Sequence, residues 1–262
     1  MDVISGLDQL PGCIIHFMGI WHMVRIAILM AMKNEARTLL QSLDLRQQKQ
    51  PFRSGVPFEL FQGRFAKAQL SVVVSGTDPE FHVDNVATVP AALMTYLAIE
   101  KCNPDLVLNA GTAGGFGGRG CEIGDVYLGS GTFCFHDRRI PLPGFDRYGI
   151  GRYSCYDTSS LAAELHLKTG IISTGNSLDL QGKDLQLILE NQAVIKDMEA
   201  AAIAWVCRSL SVPMIAVKAI TDLVDEGAPT ETQFLQNFHL AVKNLQIKTI
   251  ELLQHLQKIK DC

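Results

Sequence analysis

The fold is decided by residues 194–225, VIKDMEAAAIAWVCRSLSVPMIAVKAITDLVD. The stretch opens with a short apolar run at 194–195 and a turn, and the alanine-rich residues 200–210 then predict a helix. Residues 214–220 are apolar except for Lys218, and their length and β-branched content predict a buried parallel strand. A strand, a helix and a second strand in this order predict an α/β fold built on a sheet with parallel strands.

Two acidic residues follow the predicted strands of this stretch. Glu199 lies at the start of the helix, where the helix dipole favours a carboxylate, and Asp222 follows the second strand. In open α/β sheets, ligands bind beyond the carboxyl ends of the strands, so we expect both carboxylates to face one crevice. The alternative is that each acid only caps a helix or a turn.

The composition narrows the class of protein. A chain of 262 residues with 47% hydrophobic content can bury a large core in one α/β domain. The net charge of −4 and the absence of a Lys/Arg run argue against nucleic acid and favour a small molecule as partner. Seven cysteines without a C-x-x-C pair argue against a disulfide framework and a zinc site, so we expect a reduced, cytoplasmic protein without metal or cofactor.

The first 22 residues differ from the rest. They contain two acids and no basic leader, which argues against a signal peptide. No apolar run approaches the roughly 20 residues that cross a bilayer, so no membrane partner is expected. Because Met18 and Met23 both precede the first predicted strand, we interpret residues 1–22 either as a poorly ordered N-terminal extension or as the result of an upstream start-site choice. Residues 23–262 are interpreted as a single domain.

The remaining elements follow from apolar periodicity. Strands are predicted at 24–30, 58–61, 68–75, 105–110, 125–129, 132–135 and 168–173, and helices at 85–101, 183–190 and 230–259. Glu35 lies where the first strand passes into a helix, and a lone Glu there is most often an exposed acid of the first turn. The Ser75-Gly76 turn is a second candidate wall of the crevice.

The glycine-rich residues 111–118 allow the backbone to approach a ligand closely. They lack the Gly-Lys-Ser/Thr of a P-loop and the G-x-G-x-x-G of a dinucleotide site, so phosphate or dinucleotide binding is only weakly indicated. The polar, proline-rich residues 136–143 predict a loop that is either a solvated surface, a lid or a subunit contact.

Four motifs occur in an ordered set: M-A-M-K-N-E-A at 30–36, N-A-G-T-A-G-G at 109–115, D-M-E-A-A-A at 197–202 and V-K-A-I-T-D at 217–222. From about residue 24 to the end, the chain resembles the 5′-methylthioadenosine/S-adenosylhomocysteine nucleosidases of the purine nucleoside phosphorylase superfamily. It is most similar to the plant-type branch, which shares H-D-R-R-I-P (136–141) and T-D-L-V-D (221–225). The resemblance implies one nucleosidase domain, a three-layer αβα sandwich with a central mixed, partly barrel-like sheet.

The resemblance also implies hydrolysis of the N-glycosidic bond of an adenosine thioether, giving adenine and a 5-thioribose in methionine salvage. Asp222 would be the general acid that protonates adenine N7, and Glu35 would activate water. The remaining residues implied to bind substrate are Glu199 at the ribose hydroxyls, Met198 at the ribose floor, Met32 on the water side, Leu178 at the base, Lys218 at the water, and Ser75 and Thr112 as further pocket residues.

This chemistry places opposite demands on the two catalytic carboxyls. Adenine is a poor leaving group as an anion, so Asp222 has to be protonated before reaction, while Glu35 should stay ionised. Raising the pKa of an aspartate from its ordinary value near 3.9 to about 7 requires roughly 4 kcal/mol of interaction free energy from burial and neighbouring groups.

The chain departs from the family pattern at a few positions. Lys218 stands where bacterial members carry Arg, Asn176 stands where Asp is common, and residues 77–80 replace a glycine-containing loop. The preference between methylthioadenosine and S-adenosylhomocysteine therefore stays open. By resemblance we expect a homodimer, with residues 133–143 reaching the partner's site.

Three alternatives remain. A phosphorylase would need arginine contacts to phosphate, but Arg25, Arg37 and Arg64 are not where these are expected, which leaves Arg138 and Arg139 acting in a neighbouring subunit. A second alternative is a hydrolase of a related nucleoside such as aminofutalosine. A third is a non-catalytic nucleoside-binding or storage protein, which should have lost at least one of the three acids.

Overall fold

The computed structural model describes residues 23–180, 182–227 and 229–258, so the extension expected at residues 1–22 lies outside the described residues. The strands are β1 (Arg25–Met30), β2 (Leu45–Gln47), β3 (Glu59–Phe65), β4 (Ala68–Val74), β5 (Leu106–Gly115), β6 (Val126–Phe135), β7 (Tyr153–Ser154), β8 (Lys168–Thr174), β9 (Ile195–Asp197) and β10 (Met214–Leu223). The helices are α1 (Lys33–Ser42), α2 (Thr88–Cys102), α3 (Phe145–Ile150), α4 (Ser159–Leu165), α5 (Gly182–Glu190), α6 (Ala200–Ser209) and α7 (Thr230–Lys258).

The strands form one mixed sheet that is closed on one side. Strands β10, β6, β8, β9 and β5 follow one another in the sheet, and β10 pairs with β5 as well, so these five strands form a ring. Beyond β5 the sheet continues as β1, β4, β3 and β2. The pairing of β10 with β5 and of β5 with β1 is parallel, whereas β10 pairs with β6 antiparallel. The predicted mixed, partly barrel-like α/β fold is confirmed.

Helices cover both faces of the sheet because the apolar side chains of its strands point alternately to one face and to the other. Along β1, Ala27 and Leu29 pack in a cluster with residues of α2 and α6, whereas Ile26 and Ile28 pack in a second cluster with residues of α1, α4 and α7. Successive strand side chains point to opposite faces, so a strand that is apolar throughout requires a helical layer on each side. This is the three-layer arrangement expected from the sequence.

Two predictions about strands were wrong. The segments 125–129 and 132–135 are a single strand, β6, whose register against β8 shifts between Gly129 and Phe133. The strand predicted at 105–110 extends to Gly115 as β5, into the glycine-rich segment, because it stays paired with β10 as far as the pair Leu223–Gly115. The short elements β2, β7, α3 and α4 have too few residues to show a period and were not predicted.

The described residues contain no helix long and apolar enough to span a membrane. The cysteines within them, residues 102, 121, 134, 155 and 207, are all unpaired.

Candidate active site

A central pocket of about 260 Å³ opens at the carboxyl ends of β1, β9 and β10 and along the glycine-rich half of β5. It is lined by Ala31, Met32, Glu35, Val86, Asn109, Ala110, Gly111, Thr112, Ala113, Gly114, Leu178, Lys196, Asp197, Met198, Glu199, Lys218, Thr221, Asp222 and Phe234. All the residues that the sequence singled out line this pocket, with the exception of Ser75. The predicted crevice at the strand ends is therefore formed, and it joins residues far apart in the chain.

Glu35, Glu199 and Asp222 are buried together in the central pocket, with exposed fractions of 4%, 8% and 3%. Carboxyls this deeply buried are uncommon unless other groups solvate them. The interpretation of Glu35 as an exposed acid of a first helical turn is therefore wrong. Its side chain points inward from α1 against β5.

Glu35 is bound by Thr112 on β5. Its Oε1 accepts a hydrogen bond from the Thr112 backbone N–H at 2.7 Å and another from the Thr112 hydroxyl at 2.6 Å. Burial raises the pKa of Glu35 above its ordinary value, while the Thr112 hydrogen bonds and the charge of Lys218 oppose that rise. The carboxyl is thus a stronger base than a free glutamate and remains tied to one strand.

Asp222 sits where β10 shifts register against β5, between Ile220 and Asp222. Its Oδ1 lies 2.7 Å from the hydroxyl of Thr221. Burial raises the pKa of Asp222, and the hydrogen bond from Thr221 and the charge of Lys196 oppose this rise. Gly114 faces the same carboxyl so closely that a Cβ there would lie 2.7 Å from Oδ2. The Asp222 carboxyl therefore lies directly against the backbone of β5 at Gly114.

Glu199 precedes α6 but does not cap it. Its Oε1 accepts the backbone N–H of Ala87 at 3.0 Å, across the pocket, whereas the N–H of Ala200 donates to Asp197 Oδ2 at 2.8 Å. The capping interpretation therefore applies to Asp197 and not to Glu199. Burial, followed by the proximity of other carboxylates, raises the pKa of Glu199 to about 7, although the charge of Lys218 acts in the opposite direction.

Asp197 and Lys218 form a buried ion pair that the sequence did not predict. Lys218 Nζ lies 2.8 Å from Asp197 Oδ2, and neither side chain is more than 1% exposed. Asp197 also accepts the hydroxyl of Thr174 at 2.5 Å. Burial alone would raise the pKa of Asp197, but the charge of Lys218 and these hydrogen bonds hold it below its ordinary range. The only sequence signal for the pair was the presence of both residues in the quoted motifs.

Lys196 is a second lysine of the central pocket that sequence reasoning missed. It is 4% exposed, and its Nζ donates to the backbone oxygens of Ser177 and Leu178 at 2.7 and 3.0 Å. It thereby supports the loop on which Leu178 stands, 43% exposed at the pocket. Burial lowers the pKa of Lys196, while the charge of Asp222 raises it.

The other sequence-derived residues divide into two groups. Met32 and Met198 line the central pocket. Ser75 does not line it, because its hydroxyl donates to the backbone oxygen of Ala31 behind the pocket wall.

Phe234 of α7 lines the pocket, although the sequence predicted only that the closing helix packs against the rest of the domain. Within the described ranges, no group of three or more His, Cys, Asp or Glu side chains is placed to hold a metal ion.

A family model described as the phosphorylase superfamily matches residues 25–255. The 5′-methylthioadenosine nucleosidase of Arabidopsis thaliana is 43% identical over 222 residues, which are 84% of this chain and 83% of that protein. The 5′-methylthioadenosine/S-adenosylhomocysteine nucleosidase of the same organism is 42% identical over 237 residues, 90% of each chain. The apo structure of Arabidopsis thaliana 5′-methylthioadenosine nucleosidase, 40% identical, superposes with a TM-score of 0.87 and covers 89% of this chain and 96% of that one.

The chain therefore belongs to the phosphorylase superfamily, within the family of the 5′-methylthioadenosine/S-adenosylhomocysteine nucleosidases. The resemblance drawn from the four sequence motifs is confirmed.

The raised pKa of Glu199 predicts a pH dependence of stability. Because the folded-state pKa of about 7 exceeds the ordinary 4.5, the folded state holds this proton more tightly, and stability is lost as the pH rises from 4.5 towards 7. Glu199→Gln imitates the protonated acid and does not titrate. The free energy of unfolding of this variant should therefore rise relative to that of the wild type, by up to about 3 kcal/mol over this window. Urea unfolding between pH 4 and pH 8 measures the difference.

The exposed Glu100→Gln variant is the control and should show a constant difference from the wild type over the same range. A Glu199→Gln difference that is also constant would contradict the raised pKa.

Proposed function

We propose that this protein hydrolyses the N-glycosidic bond of 5′-methylthioadenosine, and also that of S-adenosylhomocysteine, releasing adenine and a 5-thioribose. The observation that carries the proposal is the joint burial of Glu35, Glu199 and Asp222 in one pocket of a chain similar to nucleosidases over most of its length. Release of adenine and a thioribose suits a role in methionine salvage, and the unpaired cysteines favour a reducing, cytoplasmic setting.

Asp222 is proposed as the acid that assists departure of adenine. Its raised pKa increases the protonated fraction, and the proton passes to N7 as the glycosidic bond breaks. Lys196 limits the rise because its charge favours the ionised form. After transfer, this lysine stabilises the aspartate that remains.

Glu35 is proposed to activate the attacking water. It has a raised pKa, as Asp222 does, so the expected separation into one protonated and one ionised carboxyl does not come from opposite pKa shifts. Thr112 donates two hydrogen bonds to Glu35, which favour its ionised form and fix the face of the carboxyl that is left open to water. Met32 lines the pocket beside it.

Glu199 is proposed to accept hydrogen bonds from the ribose hydroxyls, with Met198 under the sugar. One of its oxygens is oriented by the N–H of Ala87, which leaves the other for the ligand. Negative charge near the sugar also favours the positive charge that develops there as the bond to adenine weakens.

Phosphorolysis is disfavoured by the cations of the central pocket. The basic residues that line it are Lys196 and Lys218, and the first is bound to backbone oxygens while the second is paired with Asp197. Arg138 lies over the ring of Phe135 at 4.4 Å, and Arg139 is paired with Asp184. The retention of all three acids likewise argues against a non-catalytic binding protein.

The proposal predicts that adenine release does not need phosphate. Purified protein freed of phosphate should release adenine from methylthioadenosine at the same rate before and after phosphate is restored, as followed by chromatography of the products. S-Adenosylhomocysteine, adenosine and aminofutalosine in the same assay define the substrate range. Release only in the presence of phosphate would reassign the protein to the phosphorylases.

The assigned carboxyls predict two severe losses of activity. Asp222→Asn and Glu35→Gln each keep the shape of the side chain while removing its proton transfer, so kcat should fall about 10²- to 10⁴-fold with the fold unchanged. The matched controls are Asp44→Asn and Glu100→Gln, which change exposed carboxyls outside the pocket. Wild-type kcat in either pocket variant, with a normal circular dichroism spectrum, would refute the role of that residue.

We further propose that the protein is a homodimer. Val89, Leu93 and Tyr96, with exposed fractions of 78%, 47% and 47%, recur at helical spacing on the outer side of α2 and supply an apolar face for a partner. Of the expected contact segment 133–143, Phe133 and Phe135 belong to this chain's own core. The part that can reach a second subunit therefore begins after β6.

The dimer predicts a specific sensitivity to charge. Leu93→Glu should convert the protein to a monomer in light scattering, because a carboxylate in an apolar contact is costly to bury. Leu189→Glu, on the outer side of α5 and 44% exposed, should leave the mass unchanged. A wild-type protein that is a stable, active monomer would contradict the proposal.

A further inference from the structure

Ala87, the residue before α2, has a backbone conformation that alanine rarely adopts. Its φ is 75° and its ψ is −175°, a region that is essentially reserved for glycine. An alanine is disfavoured there by about 5- to 150-fold, whereas glycine takes up positive and negative φ about equally. Strain of this size persists only where surrounding contacts hold it, and such contacts lie on both sides of Ala87.

Two hydrogen bonds hold the peptide groups that flank Ala87. The N–H of Ala87 donates to Glu199 Oε1 at 3.0 Å, and the N–H of Thr88 donates to Asn176 Oδ1 at 3.1 Å. The Thr88 hydroxyl donates to the same amide oxygen at 2.6 Å. Because φ and ψ are the rotations between two flanking planar peptide groups, a bond to each group fixes both angles of Ala87.

Asn176 takes the place of a local helix cap. The residue before a helix normally accepts an N–H of the first turn with its own side chain, and alanine has no atom that can do so. Ala87 accordingly makes no side-chain cap hydrogen bond. The first N–H of α2 is bound by Asn176, 88 residues further along the chain and just after β8. The start of α2 is therefore tied to the loop that carries Leu178.

The amide of Asn176 is oriented by Asp137. Asp137 Oδ2 accepts the backbone N–H and the side-chain Nδ2–H of Asn176, both at 2.7 Å. An ionised carboxylate can only accept hydrogen bonds, so it selects the nitrogen end of the amide and turns Oδ1 towards Thr88. An aspartate at position 176 would instead set two carboxylates against each other.

The sheet brings Asp137 and Asn176 together. Strands β6 and β8 are parallel up to the pair Phe135–Thr174, and the N–H of His136 donates to the oxygen of Thr174 at 3.0 Å. The ring of His136 lies so close to Gly175 that a Cβ there would overlap its Nε2. The two chain segments thus leave adjacent strand ends side by side. Within the H-D-R-R-I-P motif, Asp137 therefore has its partner in its own chain.

We propose that Asn176 is a positioning residue for Glu199. It holds Ala87 in the strained conformation, and the N–H of Ala87 in turn orients the carboxylate that meets the ribose hydroxyls. The inference rests on the proposed function, since it takes Glu199 as the ribose ligand. Without Asn176, Ala87 relaxes towards negative φ, and the fraction of molecules with an oriented Glu199 falls. Apparent substrate affinity falls with that fraction.

The proposal predicts that the effect of Asn176 depends on the residue at position 87. Asn176→Ala should lower kcat/KM for methylthioadenosine about 5- to 10-fold, because the strained conformation loses its support. In the presence of Ala87→Gly, the same substitution should cost less than about 2-fold, because glycine keeps positive φ without support. The four proteins form a double-mutant cycle that isolates this coupling.

A second variant tests the same contact from α2. Thr88→Val removes the hydroxyl bond and leaves Asn176 in place, so kcat/KM should fall by about 2- to 3-fold, as for one weak hydrogen bond. Ala87→Gly should suppress this loss as well. Asn176 and Thr88 are not buried, so neither substitution opens a cavity, and thermal unfolding checks that both variants fold.

Ala66→Gly is the matched control for the glycine substitution. Ala66 also has a positive φ, 48°, but it lies in the exposed turn between β3 and β4. Combined with Asn176→Ala, it should leave the loss of kcat/KM at its full size.

Adenine binding separates this role from a disturbance of the base site. Asn176 lies two residues before Leu178, which lines the central pocket, so a disturbed loop would weaken adenine binding. Adenine has no ribose for Glu199 to bind. Its dissociation constant, measured by isothermal titration calorimetry, should therefore be the same for the wild type and Asn176→Ala.

The outcomes distinguish this proposal from the proposed function. An Asn176→Ala loss of equal size with and without Ala87→Gly would overturn the positioning role. Wild-type kcat/KM in Asn176→Ala, or an adenine dissociation constant that rises as kcat/KM falls, would overturn it too. Failure of the wild type to release adenine from methylthioadenosine would overturn the proposed function, and with it the ribose role of Glu199.

Discussion

The ion pair between Asp197 and Lys218 is the constraint on which the site depends. The two residues stand on β9 and β10, and both strands pair with β5, which lies between them. Two buried charges are tolerated only when each compensates the other, and removing one partner of such a pair typically costs about 3–5 kcal/mol. The pair therefore fixes the spacing of the two strand ends that carry Glu199 and Asp222.

β5 has glycine at positions where charged side chains of other elements lie against it. Gly111 pairs in register with Lys218, and a Cβ at Gly111 would lie 3.4 Å from Glu35 Oε2 and 3.7 Å from Lys218 Nζ. At Gly114 the same atom would meet Asp222 at 2.7 Å. Glycine at position 114 therefore leaves room for the Asp222 carboxyl, whereas a Cβ at Gly111 would only come into ordinary contact with Glu35 and Lys218. The sequence indicated that this segment approaches a ligand closely, but what it approaches first is the protein's own carboxyls.

The elements could be predicted from the sequence wherever one physical pattern dominated. The apolar run at 214–220 and the alanine-rich segment after Glu199 predicted a strand and a helix with nearly correct limits. Glycine-rich β5 was misjudged because glycine has a low strand propensity, which the pairing with β10 overrides. The partners of the carboxyls, Thr112 and Lys218 above all, were named but could not be assigned, since hydrogen bonds between distant strands leave no periodic trace.

The same ion pair bears on the choice of nucleophile. A phosphate binding site needs cations whose charge is not already neutralised, whereas Lys218 is held by Asp197 and Lys196 by two backbone oxygens. An incoming phosphate would also approach Glu35 and Glu199, and like charges in a buried site repel strongly because little solvent screens them. Water carries no charge and meets no such barrier. The interaction that holds the pocket together thus favours hydrolysis over phosphorolysis on electrostatic grounds alone.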